Sequence, residues 1–172
     1  ITADAQAASL AGSLAGSSSG AISIGLSLAF NTVANEVEAF ISDVTLVDVA
    51  GSTLIQASEN ASIGVTTTAA SIAFSAGASN SAGISGGGAI AQNIILTKTN
   101  AFVEESRLES DGNVDLDATN TSTITAQVLA VSAAGSAGGS TGVGASIGVS
   151  VARNFIGWDL NAPSFDKTSD QE

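Results

Sequence analysis

A repeat of about sixty residues is the feature of this sequence that most constrains its fold. Three segments of 31 residues each begin with Ile and end with Asn, and they occupy residues 1–31, 63–93 and 124–154, with starts 62 and 61 residues apart. An Ala-x-Ser-x-Ala-x-Ser run recurs at the same place in each segment, beginning at Ala7, Ala69 and Ala130. Self-similarity at a fixed long period is typical of solenoids, so we expect the chain to stack repeat units.

Residues alternate between small and large in the second half of each segment. In the first copy, the small residues Ala21, Ser23, Gly25, Ser27 and Ala29 alternate with Ile22, Ile24, Leu26, Leu28 and Phe30. A period of two indicates β-strand. A Gly/Ser-rich stretch divides each segment, at residues 17–20, 79–81 and 138–140. We therefore predict strand, turn, strand, with the Ala/Ser/Gly faces packed on one another more closely than the usual ~10 Å between sheets.

An Ala-rich helical hairpin is the alternative to this interpretation. It is disfavoured because Gly and β-branched residues recur in these stretches, where each would cost a helix roughly 0.5–1 kcal/mol. The stretches between the 31-residue segments contain shorter and more polar candidate strands, at Val33–Ile41, Thr53–Ala57 and Asn113–Ala118. We expect these intervening strands to face solvent.

One such unit cannot bury its apolar face alone, so we expect successive units to stack at ~4.8 Å and to close a continuous core. The predicted fold is all-β, a parallel β-solenoid over residues 1–160, with a half repeat at 1–31, repeats at 32–93 and 94–154, and a diverged tail, cap or linker at 155–172. Stacking places identical residues side by side. We therefore predict two structural ladders, one of asparagines and one of serines: Asn31, Asn93 and Asn154, and Ser9, Ser71 and Ser132.

The charge and residue content excludes several function classes. Four Lys plus Arg against sixteen Asp plus Glu give a net charge of −12, which repels nucleic acid and anionic lipid. There is no His, Cys or Tyr, so imidazole and thiol chemistry are absent. No uninterrupted apolar run approaches the ~18 residues of a membrane-spanning helix, so we expect a soluble chain with no membrane insertion, whose export signal lies outside it.

The order of motifs resembles a known group of proteins. Ala/Gly/Ser-rich strands end in Asn, Ala-Phe-Ile or Ala-Phe-Val follows at residues 39–41 and 101–103, and a Gly-x-Val-x-Leu-x-Ala strand runs from Gly112 to Ala118. This pattern, over about residues 1–160, resembles the repeat region of large secreted bacterial filamentous adhesins of the leukotoxin and filamentous-haemagglutinin type. The resemblance implies an extracellular or cell-surface protein that acts in adhesion or as a spacer, with no catalytic residue in its repeats.

Carboxylates are the candidates for chemistry, and they cluster between the repeats: Glu36, Glu38, Asp43, Asp48, Glu59, Glu104, Glu105, Glu109, Asp111, Asp115 and Asp117. A pair ~5–10 Å apart would suit a glycoside hydrolase, which makes a carbohydrate-active β-helix the enzymatic alternative. The spacing of Asp111, Asp115 and Asp117 around Gly112 matches neither an EF-hand nor a Gly-Gly-x-Gly-x-Asp repeat, so we expect no cofactor and keep Ca²⁺ only as an alternative. Thr-rich patches at 66–68 and 121–125 raise ice binding as a further alternative. This alternative is disfavoured because the Thr residues are not in register from one repeat to the next.

The sequence therefore predicts a structural or adhesive module, and not an enzyme. Open solenoid ends leave unpaired backbone groups, so the expected partners are neighbouring repeats or other copies of the chain, stacked end to end. The alternative function is binding of a surface glycan or a host protein on the polar face.

Overall fold

The computed structural model describes residues 1–158, and this part of the chain is all-β with no helix. Its strands are β1 (Thr2–Ala15), β2 (Ser19–Ser42), β3 (Val47–Val49), β4 (Thr53–Glu59), β5 (Ser62–Gly77), β6 (Asn80–Glu104), β7 (Leu108–Ser110), β8 (Val114–Asn120), β9 (Thr123–Gly138) and β10 (Thr141–Gly157). Most of the predicted tail lies outside the described residues. Within residues 1–158 there is no helix long and apolar enough to cross a bilayer.

Strands from successive copies pair side by side and in parallel, which confirms the predicted β-solenoid class. The sheets have the strand orders β1-β5-β9, β10-β6-β2, β3-β7 and β4-β8. The register sets Ala7 beside Ala69 and Ser9 beside Ser71. Between the repeats, Ala57 of β4 lies beside Ala118 of β8.

The strands between the repeats differ from the prediction. The sequence suggested a separate strand from Val33, but β2 runs without a break to Ser42, because no Gly or Pro interrupts the alternation after Gly25. The strand ends where Asp43 adopts a left-handed φ of 57°. Glu105, which follows β6, has a φ of 46°. Two corresponding corners therefore end the two longest strands.

The described chain folds into two compact units, each made of segments from successive repeats. Unit 1 comprises Ile1–Asn31, Ile63–Asn93 and Thr125–Asn154, and unit 2 comprises Thr32–Ser62, Ile94–Ile124 and the residues from Phe155. The strands β2, β6 and β10 contribute their first parts to unit 1 and their remainders to unit 2.

Unit 1 has an interior made mostly of small side chains, although the larger Ile63 and Val65 at the start of β5 are also buried. Ala69, Ala73, Ala89, Ala91, Ser71, Ser75 and Ser85 are all at most 2% exposed. A Cβ added to Gly25 would lie 2.6 Å from the carbonyl oxygen of Ala70, and one added to Gly83 would lie 2.6 Å from that of Gly135. Backbone therefore meets backbone between the two sheets of this unit, a closer approach than the usual ~10 Å separation allows. Most of the larger apolar residues of these strands point outward, so stacking does not bury them as we expected.

Unit 2 buries a mixture of apolar and polar side chains. Ile55, Ala57 and Glu59 of β4 alternate with exposed residues and are at most 8% exposed, and Ile95 and Thr97 of β6 are also buried. The expectation that the intervening segments face solvent is therefore wrong for one face of them. Alternation on β4 gives that strand an inner face, whereas the sequence reasoning weighed only its overall polarity.

Candidate interaction surface

The three asparagines at the ends of the repeats are joined by side-chain hydrogen bonds within unit 1. Asn31 Nδ2 donates to Asn93 Oδ1 at 2.9 Å, and Asn93 Nδ2 donates to Asn154 Oδ1 at 2.9 Å. Asn93 is fully buried. Each amide donates in the same direction, so the row ends in an acceptor oxygen at Asn31 and in donor hydrogens at Asn154.

The serines make a different set of contacts. Ser9 and Ser71 lie side by side in the register. Their hydroxyls, however, bond across the interior to the facing sheet: Ser9 Oγ lies 2.7 Å from Ser23 Oγ, and Ser71 Oγ lies 2.7 Å from Ser85 Oγ. Ser132 lies on β9, the strand next to β5. These hydroxyls therefore connect the two sheets of unit 1.

Two buried polar side chains of unit 2, Glu59 and Thr97, accept hydrogen bonds from exposed asparagine amides. Asn35 Nδ2 donates to Glu59 Oε1 at 3.0 Å, and the backbone N–H of Thr121 donates to the Glu59 carbonyl oxygen at 3.0 Å. Asn120 Nδ2 donates to Thr97 Oγ1. Because buried polar groups are costly without partners, the bond from Asn35 explains how the Glu59 carboxylate is accommodated there.

A charged row lies on the exposed side of unit 2. Lys98 Nζ is 2.7 Å from Glu36 Oε1 and 3.7 Å from Glu38 Oε1, and Asn100 Nδ2 donates to Glu38 at 3.1 Å. The hydrogen bond and the charge of Lys98 lower the pKa of Glu36, and Glu36 raises the pKa of Lys98 in return. Phe40 stacks on Phe102, with ring centroids 5.3 Å apart.

The acidic candidates are dispersed over the described part of unit 2. No group of three or more acidic side chains within residues 1–158 is placed to hold a metal ion. Asp117 accepts a hydrogen bond from Gln56 at 2.9 Å, and Arg107 pairs with Glu109.

An exposed apolar surface on unit 1 is the feature that sequence reasoning missed. It is formed by large side chains that point outward from β2, β6 and β10, and we call it the apolar face: Ile22, Ile24, Leu26, Leu28, Phe30, Ile84, Ile90, Val143, Ile147, Val149 and Val151. Leu26 is 64% exposed and Ile147 is 70% exposed. The signal for this face was the alternation itself, because burial of the small positions forces the large ones outward.

A groove of ≈ 420 Å³ runs along the centre of the apolar face. Its floor is the middle strand β6, where Gly86 and Gly88 face outward without side chains and Leu26 reaches over Gly88. Its walls come from Ile24, Leu26 and Leu28 of β2 and from Ile147 and Val149 of β10. A soluble protein rarely exposes a contiguous apolar patch larger than a few hundred Å² without a role in binding, so this surface is the candidate site.

Neither a protein-family model, nor a curated protein, nor a solved structure matches this chain. The surfaces of the two units are therefore the guide to function.

Proposed function

We propose that this chain is a structural and adhesive module of an extracellular or cell-surface filamentous protein, and that it acts by stacking on neighbouring repeats or on further copies of itself. The observation that carries the proposal is the directional row of amides, Asn31 to Asn93 to Asn154. A chain of identical amides ends in an acceptor on one side and a donor on the other. Two such rows are complementary when copies associate head to tail.

The backbone supports the same mode of association. In the parallel sheet β1-β5-β9, both β1 and β9 have a strand on one side only among the described residues. An edge strand presents unpaired N–H and C=O groups, which form a template for another strand. Head-to-tail stacking would continue both the backbone ladder and the amide row. Nothing in this role requires a catalytic group.

The test is light scattering after gel filtration, with negative-stain electron microscopy of the same fractions at several concentrations. We expect particles that lengthen with concentration. Asn154→Asp keeps the oxygen that accepts from Asn93 but removes the outward donor, so it should raise the concentration needed for growth roughly 10- to 100-fold. Asn60→Asp is the control, because it adds the same charge at an exposed position of unit 2. A discrete particle at every concentration would reject head-to-tail stacking.

A second function, binding of a surface glycan or a host protein, is favoured by the charged row of unit 2. Glu38 and Asn100 supply hydrogen-bonding groups, and the stacked rings of Phe40 and Phe102 lie on the same pair of strands. An array of immobilised glycans tests it. Loss of binding in Glu38→Gln and Phe40→Ala, with binding kept in Asp4→Asn, would assign the ligand to this row. Equal binding by all three variants would contradict that assignment.

A further inference from the structure

The apolar face of unit 1 is free of acidic residues in a strongly acidic chain. The segments that form it, residues 19–31, 80–93 and 141–154, contain no Asp or Glu, and Arg153 is their one charged residue. The whole chain carries sixteen acidic residues. A partner that covers this face would therefore not have to desolvate a carboxylate, which is among the most costly steps in forming an interface.

The area of the face matches that of a stable protein interface. Its eleven large side chains are between 36% and 70% exposed. With roughly 100 Å² of apolar area for each such side chain in full contact with water, they present on the order of 600 Å² of apolar surface. A specific interface buries about 800 Å² on each partner, of which a little over half is apolar, so the face is large enough to hold one.

The relief of the face makes it complementary to itself. A ridge formed by Ile24, Leu26 and Leu28 on β2 runs beside the glycine floor of the groove on β6. A two-fold axis between β2 and β6 would place the ridge of each copy in the groove of the other. This is the arrangement of an isologous contact, in which one patch serves both partners.

We propose that the apolar face binds the same face of a second copy of this chain, with the β2 ridge of each copy seated in the Gly86–Gly88 groove of the other. Sheet faces pack on sheet faces through interdigitating side chains. Here the open space lies over Gly86, where an added Cβ would meet no atom within 4 Å, whereas Leu26 of the same chain already lies over Gly88. This pairing is face to face and closes at two copies, so it differs from the head-to-tail stacking proposed above.

Gly86→Lys tests the proposal directly. A Cβ at Gly86 meets no atom within 4 Å, so the single chain has space for the new side chain, but the dimer would bury two unpaired ammonium groups in its grooves. Gly64→Lys is the matched control. Gly64 lies on β5, the middle strand of the other sheet, and a Cβ there also meets no atom within 4 Å.

Sedimentation velocity over a concentration series measures the outcome, with Asn154→Asp present in every chain to suppress head-to-tail growth. We expect the parent chain, which carries Asn154→Asp alone, to form a dimer. Gly86→Lys should raise the dimer dissociation constant at least roughly 100-fold, while Gly64→Lys leaves it within about twofold. Circular dichroism of each variant checks that the sheet content is unchanged.

Three outcomes would overturn the proposal. The parent chain could stay monomeric at all concentrations, or Gly64→Lys could weaken the dimer as much as Gly86→Lys does. A monomeric chain that floats with neutral phosphatidylcholine vesicles would instead assign the apolar face to lipid. Head-to-tail growth is measured separately in the chain with Asn154 intact, so failure of one proposal is distinguishable from failure of the other.

Discussion

The two units of the molecule differ in their charge and in what fills their interiors. Among residues 1–158, unit 1 contains two charged residues, Asp4 and Arg153, and every other charged residue lies in unit 2. Unit 1 is held by the close approach of two backbones with Ala, Ser and Gly between them. Unit 2 buries the carboxylate Glu59, which accepts a hydrogen bond from Asn35, whereas the buried polar side chains of unit 1 are all uncharged.

The difference shows how one repeat combines an exposed apolar surface with a charge that keeps copies of the chain apart. A neutral half with a small-residue core leaves its large apolar side chains outside, where they are available for binding. An acidic half opposes indiscriminate aggregation through such a surface, because a net charge of −12 makes copies repel one another at long range. Screening by salt weakens that repulsion but leaves contact between apolar faces intact.

The largest effect should come from filling the close approach in unit 1. In Gly83→Ala, the new Cβ would lie 2.6 Å from the carbonyl oxygen of Gly135, a backbone atom that cannot rotate away. We expect the free energy of unfolding to fall by about 3 kcal/mol, measured by urea denaturation followed by circular dichroism.

Gly86→Ala is the control for this substitution. It lies on the same strand, but its Cβ meets no atom within 4 Å. We expect the free energy of unfolding to stay constant or to rise by up to about 1 kcal/mol, because Ala loses less conformational entropy than Gly on folding. Equal losses in the two variants would contradict a core defined by backbone contact.

The next largest effect should come from the middle of the amide row. Asn93→Ala removes two hydrogen bonds and leaves Asn31 and Asn154 without their partners in the row. We expect a loss of about 2 kcal/mol in the same denaturation experiment. Asn31→Ala, at the end of the row, removes one of these bonds and should cost about half as much. If Asn31→Ala costs more than Asn93→Ala, the row is not the source of the stability.

A smaller effect is expected where hydroxyls join the two sheets of unit 1. Ser71→Ala and Ser85→Ala each break the 2.7 Å contact and leave one buried hydroxyl with fewer partners, at a cost of about 1 kcal/mol. The double variant removes both hydroxyls and should be no less stable than either single variant. A double-mutant cycle measures the coupling, and additive losses would show that the two hydroxyls act independently.

The smallest effect is expected on the charged row of unit 2, where Lys98 and Glu36 are both close to half exposed. The lowered pKa of Glu36 means that its share of the stability is present above the ordinary pKa of 4.5 and is lost as the pH falls through its lower pKa in the folded state. Lys98→Gln should return the pKa of Glu36 toward 4.5, measured by ¹³C NMR titration of its carboxyl group. Lys98→Arg should keep the pKa low, and a pKa that stays low in Lys98→Gln would mean that another group causes the shift.

The sequence was sufficient for the fold class, because positional matches such as Ala7 with Ala69 predict which residues lie side by side. It was also sufficient for the inner Ala/Ser/Gly face of unit 1, but it was not sufficient for the inner face of unit 2. The burial of Glu59 on β4 could not be predicted from the polarity of that strand. A carboxylate is buried only when a hydrogen-bond partner lies beside it, and Asn35, the partner of Glu59, is remote in the sequence. The groove was missed for a similar reason. Gly86 and Gly88 form it only when β2 and β10 lie on either side, and that placement comes from the stacking.

The long sequence separation between paired strands also affects the rate and the order of folding. Asn31 and Asn93, which bond to each other, are 62 residues apart in the chain. Closing a loop of that length costs about 1.5 kcal/mol more entropy than closing one of ten residues. During synthesis, β1 therefore emerges long before β5, the strand that pairs with it. We expect slow folding in which the first pair of layers forms the nucleus and each later layer adds to a template that already exists.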